Sequence, residues 1–141
     1  MLYRVFDDKQ DIFRAVVEDW LVSRHPAARE AAGAPGLPAE RLLELCRLMV
    51  IQPWAEMADA PMGSEFLGTC ERVDPALDAK HRKEFLRCAT SVLGDAASAA
   101  VFLLALDGQL SDEPSPRVLE QRAKLLVSRF APAATAKGRR P

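Results

Sequence analysis

Hydrophobic residues recur every three or four positions through segments 8–24, 38–50, 75–106 and 115–130, and this spacing constrains the chain more than any other feature. A 3.6-residue period gathers such residues on one helix face, whereas a half-buried strand needs strict alternation, of which the sequence has almost none. The expected fold is all-α: a small, irregular bundle of five or six helices. The chain of 141 residues suffices for one core without staples. Residues 1–130 are expected to form a single compact helical domain, followed by a flexible basic tail over 131–141.

Local signals divide the pattern. MLYRVF at the N-terminus has strand bias but no partner strand, so it is expected as a short extended arm across the helices or toward another molecule. Asp8 caps a first helix whose apolar stripe is Ile12, Phe13, Val16, Val17, Trp20 and Leu21; Trp20 is the expected core anchor, and Pro26 ends the helix. Residues 31–38 read as a turn-rich connector, and Pro38 opens a second helix with Leu42, Leu43, Cys46, Met49 and Val50 inward. Pro53 interrupts it, giving Trp54 and Met57 to a short helix on a new axis; a weak helix follows over 64–72. Asp74–Pro75 starts a helical run that carries His81, Phe85, Cys88 and Val92, with Gly94 as a bend or a close helix contact, and whose Ala-rich portion, 89–106, is expected near the centre of the bundle. Ser115–Pro116 opens the last helix, with Val118, Leu119, Leu125, Leu126 and Phe130 inward.

Charge and cysteine usage exclude several classes. The composition is 49% hydrophobic and 28% charged, near the globular average, which argues against disorder of the body. The net charge of -1 conceals an asymmetry: seven bases and one acid from Arg117 onward, against 12 bases and 19 acids before it. Cys46, Cys70 and Cys88 are odd in number and unpaired in spacing, which does not describe a disulfide framework. Asp7 and Asp8 interrupt the first apolar residues where a signal peptide would continue, so the expected location is the cytoplasm. The run over 88–106 approaches the length of a membrane span, but Asp95 would lie near mid-bilayer, and a buried helix fits better than insertion.

No catalytic, metal or nucleotide signature stands out. His81 and Cys88 share a helix face, and Cys70 could approach them as a zinc ligand, but no CxxC or HxxxH pair supports a metal site. Seven helical residues separate His81 from Cys88 by about 10 Å, too far for a catalytic pair. His25, beside Arg24 at a helix end, reads as a cap on the C-terminal dipole. No catalytic residue and no cofactor is assigned.

The functional expectation is therefore a non-catalytic interaction or regulatory protein that binds another macromolecule or itself. Its contact residues are expected among Leu2, Tyr3, Phe6, Trp54, Met57, Arg122, Arg129, Arg139 and Arg140, where apolar or basic groups lie near turns, termini or the last helix. The alternative use of the first five is to complete the internal core. Two other classes compete: a small enzyme in which His25, His81, Cys70 and selected acids converge on a pocket, and a nucleic-acid module using the basic C-terminus. The acidic body opposes the latter.

Overall fold

A computed structural model describes residues 9–59 and 75–132. The N-terminal arm, the 64–72 helix, the Asp8 and Asp74 caps, Cys70 and the segment beyond residue 132 lie outside the described residues.

The described residues are helical throughout apart from short connectors, an all-α bundle as the apolar spacing requires. In chain order the helices are α1 (Lys9–Val22), α2 (His25–Gly33), α3 (Pro38–Cys46), a π-helical turn (Arg47–Ile51), α4 (Gln52–Asp59), α5 (Pro75–Leu93), α6 (Ala96–Gly108) and α7 (Pro116–Phe130). Ser23 and Arg24 bridge α1 and α2 through bonds to Asp19 O and Leu21 O, and α3 runs through the π turn into α4. The result is five helical rods among the described residues.

Pro26 does not end the first helix as its ring suggests. It lies in the first turn of α2, where its missing N–H is an orphan in any case, and the helix continues through Gly33, over the first three residues of the expected 31–38 connector. Ala28 and Ala32 are buried there. At Pro53 the helix does not break either: the turn before it widens to i+5 bonding, with Gln52 N–H donating to Arg47 O, and Pro53 is carried inside α4. Widening the turn relieves the clash of the ring with the carbonyl four residues back.

The 75–106 run is not one bent helix. Gly94 takes φ +78, a left-handed conformation suited to glycine, and donates to Thr90 O at 2.7 Å. Asp95 then caps α6, accepting from Ala97 N and Ser98 N. The chain turns back on itself, and α5 and α6 form an antiparallel hairpin tied at its open end by Arg82 to Asp107. Ser115 caps α7 as expected, accepting from Val118 N.

The core lies around α3 and α5. Leu42, Leu45, Cys46 and Met49 meet Phe85, Cys88, Ala89 and Val92, with Phe102, Leu103 and Leu106 of α6 and Leu119, Ala123 and Val127 of α7 completing the cluster. Ala131 is also buried and donates to Val127 O. Trp20 is not the expected anchor. It is half-buried at the rim of α1, its Nε1–H donating to Glu56 at 2.7 Å, while Val17 fills the inward position.

The Ala-rich helix is not central. α6 has its main contacts with α5 and α7 and turns a full face outward, Val101 being 55% and Leu104 66% exposed. A helix apolar all round can be surrounded only if enough elements exist to surround it, and among the described residues two flanking helices cover one side. Val118 and Leu125 are likewise outside, because the inward stripe of α7 runs through Leu119, Ala123 and Val127.

Candidate functional site

Two places concentrate the features a function could use: a histidine pair, His25 buried and His81 half-buried, and the outward face of α6.

The histidine pair is built by three elements. Pro53 has no N–H to give to Met49 O, the carbonyl four residues back. His81 Nε2, from α5, lies 2.9 Å from that oxygen and donates to it. The proton on Nε2 leaves Nδ1 of the neutral ring as an acceptor, and His25 Nε2, 3.1 Å away, donates to it. The rings stack with centroids 5.3 Å apart, and His25 is 3% exposed. Burial lowers the pKa of His81 and, with the neighbouring ring, that of His25. Both are held neutral. His25 opens α2 and does not close α1, so the expected dipole cap is reversed: it stands at the end of a helix where a positive ring is disfavoured.

Charged groups surround the pair without entering it. Arg24 reaches Glu56 at 2.5 Å with its guanidinium 5.4 Å from the Trp20 ring centre, clamping the α1–α2 junction to α4. Arg29 binds Glu84 at 2.8 Å, and Arg87 binds the same carboxylate. Led by the hydrogen bond from Arg29, these cations hold Glu84 at about 2. The Cys88 thiol donates to Glu84 at 3.7 Å, and burial together with that carboxylate pushes it up to about 11. Burial pushes Cys46 up to about 12. Both cysteines are therefore protonated thiols and poor nucleophiles at neutral pH. Among the described residues no cluster of three or more His, Cys, Asp or Glu side chains could hold a metal ion. The convergence of His25 with His81 is what a catalytic reading needs, but the pair spends its N–H donors on itself and on the backbone.

The residues expected as partner contacts are placed differently from one another. Met57 is buried, and Trp54 packs on the core with its Nε1–H donating to Pro114 O at 2.8 Å. Arg122 grips Asp112 with two bonds of 2.8 Å and donates to Gln109 O, fixing the α6–α7 connector. Arg129 is exposed on the same edge of α7. Leu2, Tyr3, Phe6, Arg139, Arg140 and Cys70 lie outside the described residues.

Sequence reasoning missed the face of α6. Its signal was present: the segment Ala96–Leu106 carries no charge on any side. In the fold, Ala97, Val101, Leu104 and Gly108 form its exposed stripe. On one flank an open groove of about 380 Å³ runs between α5 and α6, floored by Leu86, Ala100, Leu103 and Leu104 with Arg82 and Lys83 at its lip. On the other, Val118, Leu125 and Arg129 follow the edge of α7 marked by Arg122, whose guanidinium reaches the C-terminal end of α6. Among the described residues, four of the six exposed large hydrophobics thus belong to α6 or this edge of α7. No described helix is long and apolar enough to cross a membrane. No protein-family model matches the chain, and neither does any curated protein or solved structure.

Proposed function

We propose that this protein is a cytoplasmic, non-catalytic interaction or regulatory module that binds another macromolecule or a second copy of itself. The observation that carries the reading is the uncharged outward face of α6, with Val101 and Leu104 more than half exposed. Contiguous apolar surface of this kind marks a binding site in soluble proteins. The surrounding chemistry supports the same reading: the titratable groups nearest each other, His25, His81, Glu84 and Cys88, are consumed by internal hydrogen bonds.

Capture from native lysate tests it, with proteins and nucleic acid both retained for identification. The wild type is expected to hold a component that a Val101→Asp, Leu104→Asp variant of equal helicity loses. An identical set of components on both proteins, or none on a wild type that also stays monomeric when concentrated, overturns the assignment.

A further inference from the structure

We propose that the occupant of the α6 face is a second copy of this chain, paired antiparallel so that Val101 lies against the partner's Leu104 and Ala97 against the partner's Gly108. The inference rests on the reading of α6 as a binding surface and names what covers it.

The stripe is self-complementary. Ala97, Val101, Leu104 and Gly108 are spaced four, three and four residues apart, all exposed. Ala97–Gly108 and Val101–Leu104 share one midpoint, between Phe102 and Leu103, so a single twofold axis there satisfies both pairs at once. That is the condition of an isologous interface, in which residue i meets j and j meets i. The small residues at the ends let the backbones approach, and the two Val–Leu pairs fill the middle. Antiparallel helices also set the positive end of one macrodipole beside the negative end of the other.

Charge fits the same orientation. Asp95 stands exposed at the N-terminus of α6. Lys83 stands at the lip of the groove beside Leu104, in the C-terminal half of α6, and makes no ion pair among the described residues. The adjacent Asp107 is balanced by Arg82. Turning one α6 against another brings the partner's Asp95 opposite Leu110, to the end that carries Lys83. There Asp107 and Asp112 are already paired with Arg82 and Arg122, leaving Lys83 to face the partner's Asp95 and its own chain's Glu113, at both ends of the interface. A parallel arrangement would set Asp95 beside Asp95 instead.

Size sets the strength. α6 has 13 residues, about 20 Å of helix, and one stripe of it is less than the roughly 800 Å² per partner of a standard interface. Leu125 and Val118 on one flank and Leu86 on the other extend the patch, so the dimer is expected to be concentration-dependent.

Sedimentation of the full chain from low micromolar to near-millimolar concentration tests the proposal. The mass is expected to rise from 15.5 kDa toward twice that value. Leu104→Glu is expected to weaken association by at least about 30-fold, the range of an interface centre, with unchanged far-ultraviolet circular dichroism. Lys83→Gln and Asp95→Asn, the latter retaining a capping side chain, are each expected to weaken it about fivefold, and the double variant by no more than either alone. A wild type that stays monomeric throughout, or a dimer indifferent to Leu104→Glu, overturns the pairing. Additive losses at Lys83 and Asp95 overturn the antiparallel register. Lysate capture through Val101 and Leu104 can succeed when purified protein stays monomeric, so failure of the dimer is distinguishable from failure of the binding surface.

Discussion

At residue scale the most consequential contact is His81 Nε2–H to Met49 O, because it repairs the gap that Pro53 leaves at the buried Met49. His81→Ala strands that carbonyl and the N–H of His25 together, and unpaired buried groups cost about 1–3 kcal/mol each. A loss of about 2 kcal/mol or more in urea unfolding at pH 7.5 is expected. The pair also fixes a pH dependence. Both rings have pKa values lowered from 6.5, so the native state binds fewer protons than the unfolded chain below that pH. Stability is full above about 6.5 and declines as pH falls below it, before the paired carboxylates, with their lowered values, begin to titrate. Unfolding free energies measured between pH 7.5 and 5 are expected to fall more steeply for wild type than for His25→Gln, His81→Gln. The facing groups do not reverse this: Arg24, Arg29 and Lys80 oppose protonation, while Glu84 and Asp78 favour it less than burial disfavours it. None of this geometry was legible in the sequence. His25 and His81 are 56 residues apart, and the third participant is a backbone oxygen whose availability depends on a proline in another element.

At the scale of elements, periodicity and caps located the helices, and misjudged how they end. Pro38, Pro116 and Ser115 opened helices where local chemistry requires. Pro26 and Pro53 did not close them, because a first turn and a π turn each absorb the missing donor. Gly94 is the opposite case, a bend in the sequence pattern that is a full reversal in space. With φ +78 and no atom within 4 Å of a Cβ built there, its substitution by Ala meets backbone strain and no clash. Gly94→Ala is expected to lower stability by about 1–2 kcal/mol by thermal unfolding. Ser115→Ala removes the side-chain acceptor for Val118 N and is expected to lower it by about 1 kcal/mol. In α7 the apolar residues outnumber the positions one face can hold. Leu119, Leu126 and Phe130 went inward as read, and Val118 and Leu125 were left outside by the 3.6-residue period.

For the whole molecule, α6 divides into two sides with different duties. Phe102 is fully buried and meets Phe130 edge-on at 5.2 Å, whereas Leu104, two positions on, is 66% exposed. Phe102→Ala is expected to cost about 3–5 kcal/mol, and Leu104→Glu to leave the stability of dilute protein within about 0.5 kcal/mol of wild type. The sequence established that this helix is apolar all round but not which neighbours it has, and the five rods of the described residues leave one side of it uncovered. Oxidative side-chain footprinting tests most directly whether that uncovered side is the working surface, comparing the assembly recovered from native lysate with dilute purified protein. Val101 and Leu104 are expected to be protected in the native assembly while Val16, 56% exposed on α1, is labelled equally in both. Equal labelling of Val101 and Leu104 in the two states would contradict the account.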